Sequence, residues 1–223
     1  MKNVHALALQ FEDIQGDVLY LFPGDNRLSN SITYKSPAMG LFSFGASVIF
    51  DSNSSQKDDK TGIGAGAFVG DAALKKTTWY GTLGYESEVA GYTNAMIGGG
   101  VNLMGLELRA LYEVSEAADS SQTYDGDDES GWLVNVAYPM GKWRLKAQYA
   151  DADTYKIGYS KRSLNNVKLY YQNQLALGVD YNFTKMTQAA LWYVAAEKAP
   201  DGYRNAAQVD DTRYIALGLI HVF

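Results

Sequence analysis

The sequence predicts an all-β protein, an antiparallel transmembrane β-barrel containing eleven or twelve strands. Three observations lead to this fold class: segments of alternating apolar and polar residues, connections that alternate between short and long, and aromatic residues at the ends of the apolar faces. A tilted strand needs about 9–11 residues to cross a bilayer. Its successive side chains point to opposite faces, so one set meets lipid and the other meets an aqueous interior.

The predicted last strand, residues 213–223, shows the alternation most clearly. Ile215, Leu217 and Leu219 share one face, which ends at the aromatic residue Phe223. Large apolar groups at mid-depth with an aromatic group at the rim are typical of a surface that faces lipid. This strand therefore predicts which face of the barrel is exposed to the membrane.

The same alternation predicts the other strands. They are expected at 4–11, 27–35, 42–50, 62–74, 79–86, 94–103, 106–114, 132–138, 142–149, 174–183 and through 192–193. Short turns are expected at 36–40, 75–77, 104–105, 139–141 and 184–186, and longer polar loops at 51–61, 87–93, 116–130, 151–172 and 198–211. Strict alternation of short and long connections favours an outer-membrane barrel, with the turns on the periplasmic side.

Composition excludes several classes of function. The chain has no Cys, which rules out disulfides and thiol chemistry. Its two histidines, His5 and His221, lie at opposite ends of the sequence, so no catalytic site, cofactor or metal centre is expected. The net charge of −6 argues against nucleic acid as a partner. Met1 is followed by neither a sustained apolar segment nor a small-residue cleavage site, so this chain is expected to lack a signal peptide.

Several segments resemble strands of the Gram-negative general diffusion porins. RLSNSITYKSP at 27–37 resembles the strand that follows the constriction loop, and LALGVDYNFTK at 175–185 and ALGLIHVF at 216–223 resemble the last strands. FSFGASVIF at 42–50 and LELRALY at 106–112 are most similar to porins of marine γ-proteobacteria. The resemblance extends over most of the chain from residue 12 onward.

The resemblance implies a 16-stranded barrel in the outer membrane that assembles as a homotrimer and passes ions and small hydrophilic solutes by diffusion. The chain, 1–223, would be a single porin domain covering about the C-terminal two-thirds of a typical member. Residues 12–26 would be the end of the constriction loop that folds into the lumen. Two arrangements remain open: twelve strands close a narrower barrel, or the chain is a fragment with an unpaired edge.

Charged residues expected to face the lumen are the candidate functional residues. Basic side chains on inward strand faces would oppose carboxylates of the inserted segment. The predicted basic residues are Arg27, Lys35, Arg109, Lys142, Arg144 and Lys146; the predicted acidic residues are Glu12, Asp13, Asp17 and Asp25. Such an arrangement sets a transverse field that sorts solutes by charge. The alternative is that these charges only keep the lumen hydrated.

The predicted outer loops and the composition of the chain also indicate its partners. The loops are rich in acidic residues, which either bind divalent cations near lipopolysaccharide head groups or are solvated tips. The expected partners are outer-membrane lipid, lipopolysaccharide, further copies of the chain, ions and small hydrophilic solutes. An alternative function is that of a truncated, non-conducting barrel fragment, or a structural or adhesive outer-membrane protein.

Overall fold

The structure is a computed structural model that describes residues 21–22, 30–50, 61–89, 92–117, 129–154, 171–200 and 210–222. The strands are β1 (Ser31–Lys35), β2 (Phe42–Ile49), β3 (Gly62–Gly70), β4 (Trp79–Val89), β5 (Tyr92–Leu103), β6 (Leu106–Ala117), β7 (Glu129–Met140), β8 (Trp143–Ala152), β9 (Tyr171–Asn182), β10 (Thr187–Lys198) and β11 (Thr212–His221). Nowhere in the described ranges is there a helix of the length and apolarity that crossing a membrane requires.

The eleven strands form one sheet in which every strand pairs antiparallel with its neighbours in sequence. Most strands are 8–12 residues long; β1 has only 5. These are the lengths that tilted membrane-spanning strands need. The predicted all-β antiparallel fold is confirmed.

The two faces of the sheet differ in chemistry. The inner face carries buried side chains that include Tyr80, Leu111 and Gln148, together with most of the described charges of the strands. The outer face is apolar and exposed: Ile97 is 62% and Leu217 81% accessible. An apolar surface that extends over many strands is unfavourable in water and suits contact with lipid. The sequence predicted both faces for the strands with clear alternation, but not for the Gly/Ala-rich strand at 62–74.

Aromatic rings stand on the outer face at the turn end of the sheet. The ring centroids of Trp143 and Tyr181 lie 4.6 Å apart, and those of Tyr181 and Phe183 lie 4.9 Å apart. Trp143 and Phe183 are each about half exposed. Amphipathic rings favour the boundary between the hydrocarbon and the head groups, so this cluster is placed as part of an interfacial girdle.

Tight turns fix the register of the hairpins. Met104 and Gly105 join β5 to β6 and both have positive φ, 55° and 97°. Two consecutive positive φ values define the type I′ turn, whose twist matches that of paired strands. The predicted turn at 104–105 is confirmed, and it aligns Leu103 with Leu106.

Asp71 organises the connection between β3 and β4. Its carboxylate accepts hydrogen bonds from the backbone N–H groups of Ala73 (3.0 Å), Lys75 (3.0 Å) and Lys76 (2.7 Å). The bond from Lys76, followed by those from Lys75 and Ala73, holds the pKa of the Asp71 carboxyl below its usual range. One side chain therefore satisfies three donors of the turn.

Two predictions about connections are wrong. The expected loop at 87–93 is nearly absent, because β4 continues to Val89 and β5 begins at Tyr92. The sequence did not predict these strand ends because charged and small residues occur there. A register irregularity between Glu86 and Val89 also disturbs the alternation of apolar and polar residues. Lys142, expected on the inward face of a strand, lies exposed in the turn before β8.

The first and last strands, β1 and β11, lie at the two ends of the sheet. Among the described strands, each pairs with one neighbour only, β2 and β10 respectively. The expected strand at 4–11 lies outside the described residues, as do 27–29 of the strand predicted at 27–35. Closure of the barrel by twelve strands, in which the strand at 4–11 would pair with 213–223, therefore stays a prediction.

Candidate functional site on the inner face

One acidic side chain binds two arginines on the inner face. Glu107 on β6 places Oε2 3.0 Å from Arg109 Nη1 and 2.5 Å from Arg144 Nη2. Arg109 lies two residues along the same strand and therefore on the same face. Arg144 comes from β8 and reaches across the intervening strand β7. In the register, Glu107 stands opposite Ala137 of β7, whereas Arg144 stands opposite Pro139 of that strand. The contact therefore runs diagonally across β7.

A second ion pair lies beside these residues, between β8 and β9. We refer to the residues of both ion-pair groups together as the charged stripe: Glu107, Arg109, Arg144, Lys146 and Asp180. Lys146 Nζ lies 2.9 Å from Asp180 Oδ1, and both side chains are largely buried. Gly178, which stands opposite Lys146, leaves space for the diagonal contact. The ammonium group also lies 5.7 Å from the centre of the Trp192 ring on β10. A buried cation is stabilised by a carboxylate and by the face of an aromatic ring.

The predicted basic residues lie in different parts of the structure. Arg109, Arg144 and Lys146 all lie on the inner face and within one stripe with Glu107 and Asp180. Lys35 lies at the exposed end of β1, opposite Gly45 in the register. Arg27, Glu12, Asp13, Asp17 and Asp25 lie outside the described residues, so their opposition to the wall stays a prediction.

Sequence reasoning missed two residues of the stripe, Glu107 and Asp180, and the aromatic ring beside it, Trp192. Alternation placed Glu107 and Asp180 on the correct face, but their pairing with basic residues depends on the register between strands. The signal available was parity, since each shares its face with a cation on a neighbouring hairpin. The carboxylates that balance the basic residues of the wall therefore come from the wall itself.

A short apolar segment packs against the inner face. Leu21 and Phe22 are almost fully buried among Tyr80, Leu111 and Leu133. The hydroxyl group of Thr154 donates a hydrogen bond to the backbone oxygen of Leu21. These contacts hold the end of the segment expected to fold inward, although its charged residues lie outside the described ranges.

The sequence and the fold are similar to those of known proteins. A sequence model of the Gram-negative porins matches residues 6–198. The chain belongs to the Gram-negative porin family. Comparison with curated proteins gives no match.

Solved porin structures share the fold at low sequence identity. An anion-selective porin from Comamonas acidovorans is 18% identical, with a TM-score of 0.63, over 88% of this chain and 60% of that one. OmpT of Vibrio cholerae with loop L8 deleted is 14% identical, with a TM-score of 0.57, over 86% and 62%. OccK11 (OpdR) of Pseudomonas aeruginosa is 12% identical, with a TM-score of 0.55, over 88% and 61%.

These comparisons extend the description of the fold. The chain spans about 60% of the length of the porins it matches, in line with the expectation of two-thirds. The sheet is therefore barrel wall, and the protein is located in the bacterial outer membrane. The similarity to marine γ-proteobacterial porins stays a prediction.

Proposed function

We propose that this porin wall lines a water-filled channel through which ions and small hydrophilic solutes diffuse passively across the outer membrane. The observation that carries the proposal is the contrast between the two faces. The outer face is apolar and exposed, whereas the inner face carries the stripe of Arg109, Glu107, Arg144, Lys146 and Asp180. Side chains of alternating chemistry are what a barrel needs between lipid and water.

The charged stripe would set the selectivity of the channel. In the stripe, three basic side chains meet two carboxylates, which gives a net charge of +1 on this part of the wall. Rings of basic side chains favour anions in aqueous pores. A structurally similar porin from Comamonas acidovorans is described as anion-selective. We therefore expect a moderate preference for anions at this point.

The segment 12–26 would narrow the lumen opposite this stripe. Its described part, Leu21 and Phe22, packs on the inner face of β4–β8. The carboxylates Glu12, Asp13, Asp17 and Asp25 would then extend from an anchored segment toward the basic wall. This is the proposed role of the segment within a single porin domain, 1–223.

The outer face and the loops suit the other proposed partners. Exposed apolar side chains on every long strand would contact lipid, and part of this surface would be covered in a homotrimer. The acidic loop residues would face lipopolysaccharide. The channel would act without chemical turnover, as expected of a diffusion pore.

Conductance in a planar bilayer tests the proposal. Protein purified from outer membranes and inserted from detergent should give stepwise conductance, with a reversal potential in a salt gradient that reflects the wall charges. Replacing Arg144 and Lys146 with Gln removes two positive charges and leaves Glu107 and Asp180 less compensated. The reversal potential should therefore move toward cation preference.

The control replaces a lysine outside the stripe. Lys185→Gln removes one positive charge in the exposed turn between β9 and β10 and should move the reversal potential by less than half as much as the double variant. No stepwise conductance from the folded protein would reject the channel and favour a structural or adhesive role. Conductance with an unchanged reversal potential in the double variant would reject only the charge assignment.

A further inference from the structure

Methionine recurs at the turn end of the sheet. The chain contains 6 methionines. Of those that the structure describes, all but Met96 lie at the short turns between neighbouring strands: Met39, Met104, Met140 and Met186. Three of these are followed directly by a glycine with positive φ: Gly40 (65°), Gly105 (97°) and Gly141 (64°). Short turns of an outer-membrane barrel lie on the periplasmic side. We refer to the four turn residues as the methionine rim.

Turn geometry does not account for methionine at these positions. Met104 has a φ of 55° and is the first central residue of the turn between β5 and β6. Asn, Asp and Gly are preferred there, because they tolerate the left-handed conformation that a long side chain such as that of Met104 disfavours. The membrane boundary favours aromatic rings. Another property of methionine, the chemistry of its sulfur atom, therefore remains to explain the recurrence.

The side chains of the methionine rim are open to solvent. They are between 49% and 104% accessible, whereas Met96 on the inner face of β5 is 5% accessible. Met96 packs in the core with Tyr80 and Leu111. A small oxidant reaches a thioether sulfur only where the side chain is accessible, and oxidation makes the side chain polar. The fold thus separates four accessible sulfur atoms from a protected one.

We propose that the methionine rim is a set of reversible oxidation sites, at which hydrogen peroxide oxidises each thioether to a sulfoxide and a methionine sulfoxide reductase reduces it again. In the forward step, a sulfur lone pair attacks one peroxide oxygen, the O–O bond breaks and water leaves. The sulfur is oxidised and the peroxide is reduced by the same electron pair. In the reverse step, a dithiol supplies an electron pair and two protons, the sulfoxide oxygen leaves as water, and the dithiol becomes a disulfide.

The reductant has to come from another protein. The chain contains no Cys and therefore no dithiol of its own. A reductase must take the oxidised side chain into its active site, and an exposed residue on a tight turn allows this approach. Met104 meets this requirement best, because it is fully exposed beside Gly105.

Oxidation would change the polarity of the girdle at the periplasmic boundary. Met39 pairs with Phe42, and Met140 pairs with Trp143 in the register. A sulfoxide replaces an apolar sulfur with a polar group, so the reaction would place polar oxygen atoms beside these rings. The proposal is independent of conduction, since it involves neither the charged stripe nor the lumen.

Peptide mass spectrometry tests the sites on the purified, folded protein in detergent. Hydrogen peroxide is added, catalase stops the reaction at intervals, and the oxidised fraction of each methionine peptide is measured. Each residue of the methionine rim should be oxidised about tenfold faster than Met96, or more. In protein unfolded in urea, the rates at the same residues should become similar, because the fold no longer protects Met96. Equal rates at the rim and at Met96 in the folded protein would overturn the proposal.

A leucine variant provides the matched control for the assignment. Met104→Leu keeps an apolar side chain without sulfur. It should abolish oxidation of the peptide that contains position 104 and leave the rates at Met140 and Met186 unchanged. Should this variant fail to fold, Met186→Leu replaces it.

Reduction is tested on the oxidised, folded wild-type protein. Methionine sulfoxide reductases for both sulfoxide epimers are added with dithiothreitol, and the peptides of the methionine rim should lose the mass of the added oxygen. A sample with dithiothreitol alone should keep it. Sulfoxides at the rim that resist both reductases in the folded protein would overturn the proposal.

Discussion

Arg144 reaches across an entire strand to Glu107, with Nη2 2.5 Å from Oε2 and β7 lying between their strands. The same Glu107 oxygen also binds Arg109, so one carboxylate holds two guanidinium groups. Charge-assisted hydrogen bonds of this kind fix long side chains that would otherwise move freely. The direction of the field at this point of the lumen therefore depends on Glu107 as much as on the arginines.

Removing the Glu107 charge should move selectivity toward anions. Glu107→Gln leaves Arg109 and Arg144 without their carboxylate partner, so the wall gains one net positive charge. One unit charge at about 4 Å in water is worth about 1 kcal/mol, roughly a fivefold change in how readily an ion enters this point of the lumen, in opposite directions for anions and cations. The reversal potential in a salt gradient measures it. Glu116→Gln is the control, and a shift toward cations in Glu107→Gln would contradict the account.

The sequence predicted the strands and their faces because alternation is a local property. Leu145 and Lys146 fall on opposite faces whatever the neighbouring strands do. The contact between Arg144 and Glu107 could not be predicted, because it depends on the register of β6, β7 and β8 together. Pairing partners are set by turn geometry and by packing between strands. Residue type alone carries no such information.

The dependence on pairing between strands also explains why the strand ends were predicted wrongly. The strands β4 and β5 extend into the loop expected at 87–93, as far as Val89 and Tyr92, since hydrogen bonding between adjacent strands outweighs the effect of the polar residues there. Lys142 continued the alternation of β8 in the sequence, yet the positive φ of Gly141 places it in a turn. Local pattern is least informative where a strand ends.

Substitution of Gly131 should push Phe22 off the wall. A Cβ atom at position 131 would lie 2.5 Å from Phe22 Cε1 and 2.7 Å from Ala152 Cβ. Gly131→Ala should therefore lower the free energy of unfolding by about 1–3 kcal/mol, as overpacking does. Urea unfolding from lipid vesicles measures it. Gly81→Ala is the control, because its new Cβ would meet only Val69 Cγ1 at 3.6 Å.

A double-mutant cycle shows whether the Phe22 contact is the cause. In a Phe22→Ala background, Gly131→Ala should cost less than in the wild-type protein, although the contact with Ala152 leaves part of the penalty. Equal costs in the two backgrounds would mean that Phe22 does not lie over Gly131.

A charge on the outer face should destabilise the protein in lipid. Ile97 lies at the centre of β5 and is 62% exposed. Ile97→Arg should lower the free energy of unfolding from vesicles by about 2–4 kcal/mol, the cost of arginine near the bilayer midplane. Met104→Arg places the same charge on a fully exposed turn residue and should have little effect. Equal effects at the two positions would argue against a lipid-facing surface.

The turn at Asp71 should make stability depend on acid pH. Hydrogen bonds hold the pKa of Asp71 below the value of 3.8 expected when the chain is unfolded. The ionised carboxylate therefore stabilises the fold above about pH 4, and this contribution is lost as the pH falls through the lowered pKa. Asp71→Asn should melt at a lower temperature than the wild-type protein at pH 6, with the difference shrinking below pH 3.8. A constant difference across that range would refute the assignment.

Cysteine modification tests most directly whether the inner face lines an aqueous pore. The natural chain contains no Cys, so Arg144→Cys and Leu145→Cys each present a single thiol, on the inner and the outer face respectively. In a planar bilayer, a cationic methanethiosulfonate should return the reversal potential of Arg144→Cys toward that of the wild-type channel, and an anionic one should move it the opposite way. Leu145→Cys should respond to neither reagent. An unresponsive Arg144→Cys channel, or equal responses at both positions, would contradict a conducting lumen bounded by this face.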